Sequence, residues 1–275
     1  MKHVIFGVTG FLGERLVEFL INKGLDVVGV ARNEGKLVAL KERFPKLEII
    51  TGDIADRWVV KKSMKDAHGV FLLSGYKHVG LAERDVFQCV NTNVTGVVNV
   101  LEESMESLPD FVVFTSTDKA AQIAGVYGST KKIGEKLFEE AEDMNPKTKY
   151  RVVRYGNVFG STGSFITKWI PKMKNGEEII LTDPDATRFF WTREDAINLI
   201  FQCLAEAKDA TPFVPEMKAV SMGTVLDACM DVYGETDVRI IGLQKGENKH
   251  ETMDGITFSN QVQQFTKEEF KEKFL

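Results

Sequence analysis

The chain of 275 residues is long enough to bury the full hydrophobic core of one large domain or two modest ones. Its composition, 43% hydrophobic and 27% charged with a net charge of -5, is typical of a soluble globular protein. The slight acidic excess, without any clustered run of Lys or Arg, argues against nucleic-acid binding, and no apolar run approaches the ~20 residues of a membrane span.

The cysteines and the N-terminus indicate the cellular setting. Cys89, Cys203 and Cys229 lie far apart in segments that read as helical and have no ligand spacing, so we expect buried, reduced thiols and no metal site. The chain begins directly with a predicted strand and lacks the charged and apolar regions of a signal peptide. We therefore expect a cytoplasmic protein.

The first predicted strand, Lys2 to Phe6, leads into three glycines at Gly7, Gly10 and Gly13 and then a helical pattern through Leu20. Glycines at this position permit a tight turn and let backbone N–H groups approach a pyrophosphate at the helix N-terminus. The GxxGxxG spacing alone is a weak match. Its place between the first strand and the first helix makes it a dinucleotide-binding signal.

The second predicted strand, Leu25 to Ala31, is followed by Arg32. An enzyme that prefers NAD usually carries an acidic residue here for the ribose diol, whereas an arginine can pair with a 2′-phosphate. Arg32 therefore favours NADP over NAD, although NAD remains an alternative if Arg32 is only a solvated loop residue.

Two further strands end in polar or small residues. Leu47 to Thr51 precedes Asp53, which can accept a hydrogen bond from an adenine amino group or cap the following turn. Val70 to Leu73 precedes Ser74 and Gly75, whose small side chains suit the close approach of a cofactor.

Residues 82–106 are predicted to form one long helix that contains Asn91 and Asn93. Asparagine is a mediocre helix residue, so these side chains either make a polar contact across the helix or face solvent.

A buried strand from Phe111 to Thr115 runs into the polar residues 116–119, and a helix is expected from about Val126. In that helix Tyr127 and Lys131 share one face. A lysine ammonium near a tyrosine favours the phenolate, which can remove a proton from an alcohol. The alternative is an ordinary surface pair, but the polar groups at the end of the preceding strand favour a site.

The regular alternation of strands and helices continues through a strand at Tyr150 to Tyr155. It predicts an α/β fold with a Rossmann-type doubly wound parallel sheet. After Tyr155 the alternation loosens. We therefore expect a dinucleotide-binding domain in residues 1–155 and a smaller C-terminal substrate-binding subdomain in residues 156–275 that shares the cleft.

The second part contains a predicted amphipathic helix from Phe165 to Lys174, a strand from Glu178 to Leu181, a helix to about Ala207 and a C-terminal helix. Arg188, which precedes three aromatic residues, can clamp a phosphate with two hydrogen bonds, although such aromatics are more often core.

Seven motifs extend over nearly the whole chain. They are GVTGFLG (Gly7 to Gly13), YKHV (Tyr76 to Val79), STDKAA (Ser116 to Ala121), YGSTK (Tyr127 to Lys131), RYGNVFGSTGS (Arg154 to Ser164), TRFFWT (Thr187 to Thr192) and GENKHE (Gly246 to Glu251). In these motifs the chain resembles the extended short-chain dehydrogenase/reductase superfamily, and within it the inverting UDP-N-acetylglucosamine 4,6-dehydratases of the CapD-like polysaccharide-biosynthesis family. Related membrane-anchored retaining enzymes tend to carry Met at the position of Tyr127.

The resemblance implies a set of site residues. The implied catalytic residues are Thr117, Asp118, Lys119, Tyr127 and Lys131. The implied NADP-binding residues are Gly7, Thr9, Gly10, Phe11, Leu12, Gly13, Arg32, Asp53, Ile54, Leu73, Ser74, Gly75, Asn93, Tyr127, Lys131, Tyr155 and Val158. The implied UDP-sugar contacts are Lys77, Asn157, Thr182, Arg188 and Glu247. The resemblance also implies a homo-oligomer.

These roles make chemical demands. Tyr127 takes the proton of the sugar 4-hydroxyl, and Thr117 hydrogen-bonds the 4-oxygen. Lys119 can then remove the carbon-5 proton only as a neutral amine, so its pKa must be depressed, and Asp118 can protonate the departing 6-hydroxyl only if its own pKa is raised. A plain ion pair of Asp118 and Lys119 is the alternative.

The chain also departs from the family pattern. Gln244 stands where the family usually has an arginine, and Lys245 can supply the missing charge. The rival functions are a nucleotide-sugar 4-epimerase, a 5,6-dehydratase of the same superfamily and a non-catalytic NADP-binding protein; the last usually lacks the tyrosine or the lysine.

Overall fold

A computed structural model describes residues 1–244 and 246–275. The strands are β1 (Lys2–Phe6), β2 (Asp26–Ala31), β3 (Glu48–Thr51), β4 (Gly69–Leu72), β5 (Phe111–Thr117), β6 (Lys149–Tyr155), β7 (Asn157–Val158), β8 (Ile179–Leu181), β9 (Thr187–Trp191), β10 (Ala219–Ser221) and β11 (Val238–Ile240). The helices are α1 (Phe11–Asn22), α2 (Glu34–Arg43), α3 (Arg57–Met64), α4 (Val79–Ala82), α5 (Val86–Val90), α6 (Gly96–Ser107), α7 (Val126–Met144), α8 (Phe165–Lys174), α9 (Arg193–Glu206), α10 (Met222–Tyr233) and α11 (Lys267–Phe274).

The first six strands form one parallel sheet in the order β3-β2-β1-β4-β5-β6. The central strands β1 and β4 are almost entirely buried, as expected for strands covered by helices on both faces. The strand order reverses between β1 and β4, and ligands of such sheets bind outside the carboxyl ends at this reversal. The predicted α/β doubly wound fold is confirmed.

The predicted strands of this sheet are all present, and their ends differ from the prediction by at most two residues. The largest difference is in β5, which continues to Thr117 because it stays paired with β6 as far as Tyr155. The predicted helix from Phe165 to Lys174 is present with the same bounds as α8. Helix α7 starts at Val126, as predicted.

The prediction of one helix over residues 82–106 is wrong. The segment consists of α5, a π-helical turn at Asn91–Thr95, and α6, and the short helix α4 precedes it. The π turn accommodates an extra residue and so rotates Asn93 into the protein, where its side chain is 2% exposed. Apolar periodicity does not detect this rotation, since α5 and α6 each keep an ordinary helical pattern.

Residues after Tyr155 build two small sheets, in the orders β10-β9-β7 and β11-β8, around a separate core. Trp169, Leu181, Val225 and Phe270 belong to that core. Helix α9 instead packs on the first sheet, where Ile197 joins the core of β1 and β4. The chain therefore crosses between the two layers more than once, and the cleft lies where they meet.

The cysteines and the hydropathy of the helices can be compared with the sequence analysis. Cys89, Cys203 and Cys229 are all buried and free. Within residues 1–244 and 246–275, no helix has the length and apolar character needed to cross a membrane.

Candidate active site

A cleft of about 730 Å³ runs along the carboxyl ends of the parallel strands and continues between the first sheet and the second part of the chain. It is lined by every predicted catalytic residue and, apart from Asn93, by every predicted cofactor-binding residue. The lining residues from those predictions are Gly7, Thr9, Gly10, Phe11, Leu12, Gly13, Arg32, Asp53, Ile54, Leu73, Ser74, Gly75, Thr117, Asp118, Lys119, Tyr127, Lys131, Tyr155 and Val158. Of the predicted substrate residues, Lys77, Asn157 and Glu247 line it.

The glycine turn after β1 has the shape that a dinucleotide requires. Gly7 has φ +88°, and a Cβ atom there would lie 2.6 Å from the backbone nitrogen of Ser74. A Cβ atom on Gly13 would lie 2.4 Å from the carbonyl oxygen of Gly7. The buried Ser74 Oγ has no partner within the described residues. A close-packed cradle with an unused polar atom fits a dinucleotide pyrophosphate at the start of α1.

Arg32 and Asp53 lie at the ends of β2 and β3 on the same side of the cleft. The Arg32 Nη1 and the Asp53 Oδ2 are 3.6 Å apart, and both side chains are exposed. The other carboxylate oxygen of Asp53 accepts from the backbone nitrogen of Ala55, so Asp53 caps the turn that follows β3. The Arg32 guanidinium is therefore available to an anionic group in the cleft.

Asn93 acts on the cleft through a neighbouring loop. Its Oδ1 accepts from the backbone nitrogen of Tyr76 at 2.7 Å, and its Nδ2 donates to the carbonyl of Tyr76 and to Thr130 Oγ1, each at 3.0 Å. Asn93 thus fixes the loop after β4 to helix α7. Its side chain does not line the cleft, so in this structure it acts on the cleft by positioning the loop, and its contact with a cofactor stays a prediction.

The acid/base groups lie at the end of β5, in a 3-10 turn formed by Asp118–Ala120. Asp118 is 1% exposed, and its Oδ1 accepts from the Thr117 hydroxyl at 2.8 Å and from the Lys119 Nζ at 3.1 Å. Its buried Oδ2 has no partner within the described residues. The hydroxyl that was expected to bind a sugar oxygen therefore orients Asp118, and Asp118 keeps one oxygen for another group in the cleft.

Tyr127 and Lys131 lie on the cleft side of α7, as their spacing predicts. Burial raises the pKa of the Tyr127 phenol to about 12, and this outweighs the lowering by the Lys119 ammonium and the Thr117 hydroxyl. Burial also lowers the pKa of Lys131 to about 8, while its Nζ donates to the carbonyl of Thr115 at 2.8 Å. Burial is thus the largest influence on the pKa of Tyr127 in this structure, and the cation that lowers this pKa is Lys119 rather than Lys131, the lysine that the sequence indicated.

The start of α7 has a partner that the sequence did not reveal. Glu83, which follows α4, accepts a hydrogen bond at 2.6 Å from the backbone nitrogen of Val126. A carboxylate at a helix N-terminus interacts favourably with the positive end of the helix dipole and accepts a hydrogen bond from a free N–H group, so it stabilises the helix. Glu83 therefore fixes the turn of α7 that carries Tyr127.

The charge of Lys119 differs from the sequence-based hypothesis. Burial lowers the pKa of its ammonium, but Asp118 and Glu251 outweigh burial and raise the pKa well above the ordinary value. The Glu251 Oε1 lies 3.5 Å from the Lys119 Nζ, and the Glu251 side chain is 1% exposed. In this arrangement Lys119 is a protonated partner of two carboxylates, which corresponds to the ion-pair alternative and not to a neutral base.

Two predicted substrate residues, Thr182 and Arg188, do not line the cleft. The Arg188 Nη1 donates to the carbonyls of Thr187 and Lys249, and its Nε lies 3.9 Å from the Glu251 Oε1. Arg188 is 9% exposed, and its guanidinium contacts the C-terminal segment through Lys249 and Glu251. In this structure its recorded partners are backbone carbonyls and a carboxylate, and its role toward a phosphate stays a prediction.

Lys77 bridges the cleft at the loop after β4. Its Nζ donates to the carbonyl of Thr162 at 2.8 Å, and burial lowers its pKa. Glu247 lines the cleft from the C-terminal segment. Lys245, which the sequence suggested as a replacement for the family arginine, lies outside the described residues.

Comparison with known proteins agrees with the fold. A family model described as polysaccharide biosynthesis protein matches residues 4–272. The UDP-N-acetylglucosamine 4,6-dehydratase (inverting) of Campylobacter jejuni is 29% identical over 257 residues, which cover 91% of this chain and 76% of that protein. The UDP-glucose 4-epimerase of Rickettsia canadensis is 32% identical over 261 residues, with the same shares of both chains.

Among solved structures, the X-ray structure of Pen from Bacillus thuringiensis superposes with a TM-score of 0.86 at 28% sequence identity. The match covers 91% of this chain and 80% of that chain. Because the family model and these relatives extend over almost the whole chain, the chain belongs to the polysaccharide biosynthesis protein family, within the extended short-chain dehydrogenase/reductase superfamily of nucleotide-sugar dehydratases and epimerases.

Proposed function

We propose that the protein removes water from a UDP-N-acetylhexosamine as a UDP-N-acetylglucosamine 4,6-dehydratase, with inversion at carbon 5 and with NADP as its cofactor. The observation that carries the proposal is the pair of Asp118 and Lys119, which lies in the cleft with 3.1 Å between the Oδ1 and the Nζ. Epimerisation at carbon 4 needs only a base for the 4-hydroxyl. Elimination needs a second base and an acid, and this pair supplies both.

A nicotinamide dinucleotide, held by the glycine turn after β1 and by Arg32, would supply a hydride acceptor for carbon 4 and a hydride donor for carbon 6. Tyr127, in its phenolate form, takes the proton of the 4-hydroxyl, and the ketone that results acidifies the proton on carbon 5. Lys131 fixes the geometry of this end of the cleft through its hydrogen bond to the Thr115 carbonyl.

The elimination starts from the ion pair. Transfer of one proton from the Lys119 Nζ to the Asp118 Oδ1, across 3.1 Å, produces a neutral amine and a carboxylic acid. The amine then removes the carbon-5 proton, the carbon–oxygen bond at carbon 6 breaks, and Asp118 protonates the departing hydroxyl as water. After hydride returns to carbon 6, carbon 5 takes up a proton on the face opposite to Lys119, which inverts carbon 5 and restores the proton count of the site. The Thr117 hydroxyl holds Asp118 in place during these steps. Exclusion of water by the bound sugar favours the neutral pair over the ion pair.

Replacing Lys119 by Ala tests this assignment. We expect the rate of water loss to fall by about 10³-fold, because both the base and the proton source for Asp118 are removed. Incubation with UDP-N-acetylglucosamine in heavy water, without added reductant, measures the loss of water by mass and deuterium at carbon 5 by proton NMR. The ring couplings report whether carbon 5 is inverted.

The matched control is Lys136→Ala, which removes an exposed lysine from α7 and should leave the rate within about two-fold of the wild type. Absence of water loss in the wild-type protein would contradict the proposal for this substrate. Interconversion of gluco and galacto forms, tolerant of Lys119→Ala, would instead identify a 4-epimerase.

The 4-epimerase is the second candidate, and one observation favours it. Asp118 and Glu251 keep Lys119 protonated, which an epimerase tolerates but a dehydratase must overcome. The similarity to a UDP-glucose 4-epimerase agrees with this alternative. A non-catalytic NADP-binding protein is less consistent with a cleft that contains both Tyr127 and Lys131.

The preference for NADP rests on Arg32. We expect Arg32→Ala to weaken NADP binding by about 10-fold to 100-fold and to leave NAD binding nearly unchanged, since only NADP has the 2′-phosphate that a guanidinium recognises. Isothermal titration with both dinucleotides measures the two affinities. Arg43→Ala, which removes an exposed arginine outside the cleft, is the control. Equal weakening of NAD and NADP would refute the assignment.

The proposal includes the organisation of the chain and its setting. Residues 1–155 serve the dinucleotide, and residues 156–275 supply most contacts to the nucleotide sugar. Three buried, free cysteines are consistent with the reducing environment of the cytoplasm. Assembly as a homo-oligomer is also part of the proposal, and sedimentation of the purified protein would test it.

A further inference from the structure

We propose that Glu251 is a positioning residue of the active site, whose carboxylate, from the C-terminal segment, holds the Lys119 ammonium beside Asp118. This inference rests on the proposed function only for its consequence in catalysis. The contact itself is a property of the chain, and its test requires no substrate.

The first argument is geometric. Glu251 belongs to the C-terminal segment after β11, whereas Asp118 and Lys119 lie at the end of β5. The Lys119 Nζ lies 3.1 Å from the Asp118 Oδ1 and 3.5 Å from the Glu251 Oε1, so the ammonium is held between two carboxylates that come from distant parts of the chain.

The second argument concerns burial. A carboxylate that is 1% exposed needs charged or hydrogen-bonding partners, because transfer of an unpaired charge out of water is strongly unfavourable. Within the described residues, Glu251 has three such partners: Lys119, Arg188 and the Asn248 Nδ2, which donates to its Oε2 at 3.3 Å. The backbone nitrogen of Glu251 donates to Ser259 Oγ, which fixes the segment further.

The third argument concerns the distribution of charge. Lys119 faces Asp118 and Glu251, and the phenol of Tyr127 and the guanidinium of Arg188 are close enough to influence these charges. Two carboxylates beside one ammonium leave a negative charge that Arg188 offsets in part. Removal of the Glu251 charge therefore makes the Lys119 amine easier to deprotonate, even though Asp118 remains.

In the proposed dehydration, this arrangement sets when Lys119 becomes a base. Glu251 stabilises the ammonium and so opposes transfer of its proton to Asp118 until substrate changes the environment. A purely structural reading is that Glu251 serves only to compensate the buried Arg188. The two readings differ in whether Lys119 changes when Glu251 is neutralised.

The test is competitive acetylation of the intact protein with trace acetic anhydride at pH 9, with the modified lysines quantified by mass spectrometry of chymotryptic peptides. Only the neutral amine reacts. We expect Glu251→Gln to increase the acetylation rate of Lys119 by about 10-fold or more relative to the exposed Lys46, because loss of a carboxylate within 4 Å lowers the pKa of the ammonium and so enlarges the neutral fraction at pH 9. Glu251→Asp, which keeps the charge, should react at a rate closer to the wild type.

Two controls separate charge from loosening of the site. Lys131, which is 5% exposed in the same cleft, should keep its wild-type rate in Glu251→Gln. Glu142→Gln removes a carboxylate from an ion pair with Arg151, outside the cleft, and should leave Lys119 unchanged. An unchanged rate for Lys119 in Glu251→Gln, or equal acceleration of Lys119 and Lys131, would overturn the proposal. Failure of the protein to dehydrate any UDP-sugar would not affect this result.

Discussion

Replacing Tyr127 by Phe is expected to lower kcat by about 10²-fold to 10⁴-fold and to change KM by no more than a few-fold. In the proposed mechanism the substitution removes only the Oη atom that takes the proton of the 4-hydroxyl, so the shape of the cleft is kept. Burial raises the pKa of this phenol to about 12, so the phenolate fraction grows with pH across the neutral range. The wild-type rate should therefore rise with pH between about 6 and 8, and the variant should lose this dependence. Steady-state rates of water loss measure both effects.

Dinucleotide binding and a second tyrosine provide the controls for this prediction. Tyr127→Phe should bind NADP with an affinity within a few-fold of the wild type, since the ring remains in place. Tyr233→Phe alters a tyrosine of α10 whose ring lies under Lys174, outside the cleft, and should keep full activity. If Tyr127→Phe retained more than about a tenth of the wild-type kcat, another group would be the base for the 4-hydroxyl.

Replacing Glu135 by Ala is expected to destabilise the fold by about 3–5 kcal/mol, because it leaves a buried arginine without its partner. Glu135 is fully buried on α7, and its two carboxylate oxygens accept from the Nε and Nη2 of Arg154, each at 2.7 Å. Ser116 also donates to Glu135 at 2.7 Å. Burial raises the pKa of Glu135, but the hydrogen bonds from Arg154 and Ser116 lower it by more. The net pKa is therefore below the ordinary value, and the carboxylate stays ionised near neutrality.

The lowered pKa gives this interaction a pH dependence. Because the carboxylate of Glu135 is easier to ionise in the folded chain than in the unfolded chain, its contribution to stability is present above the unfolded pKa and is lost as the pH falls through the folded value. The difference in stability between the wild type and Glu135→Ala should therefore be largest near neutrality and shrink in acid. Chemical denaturation at several pH values measures this difference.

An exposed pair on the same helix is the control for the stability prediction. Glu139→Ala breaks the pair of Glu139 with Lys136, whose side chain is 62% exposed, and should cost less than about 1 kcal/mol. The double variant Glu135→Leu/Arg154→Met should recover most of the lost stability, since it removes both charges together. A free energy of unfolding for Glu135→Ala within about 1 kcal/mol of the wild type would show that water or another group compensates Arg154.

The first sheet and the dinucleotide end of the cleft could be predicted from sequence because both depend on local signals. Buried parallel strands are continuous apolar runs in the sequence. The tight turn after β1 requires glycine at positions 7 and 13, and the spacing of these glycines is visible in the sequence. The helical spacing of Tyr127 and Lys131 likewise places both on one face of α7. Each of these features involves residues that are close in sequence or follow the regular alternation of strands and helices.

The electrostatics of the site could not be predicted, because they arise from residues that are distant in sequence. The pKa of Lys119 depends on Glu251, which approaches from the C-terminal segment, and the burial of Tyr127 depends on the packing of the whole cleft. The π turn that rotates Asn93 inward leaves the apolar pattern on both sides unchanged. The sequence also did not reveal the partners of Arg188. They are the Lys249 carbonyl and the Glu251 carboxylate, which lie about 60 residues further along the chain.

The position of Glu251 in the chain also has a consequence for biosynthesis. A polypeptide emerges from the ribosome N-terminus first, and its early domains generally fold as units during synthesis. The six-stranded sheet and its glycine turn are complete at Tyr155, long before Glu251 is added. A nascent chain can thus form this sheet while Lys119 is paired with Asp118 alone. Under the proposed function, a chain terminated before Glu251 would keep the glycine turn for a dinucleotide and would have a Lys119 without its second carboxylate.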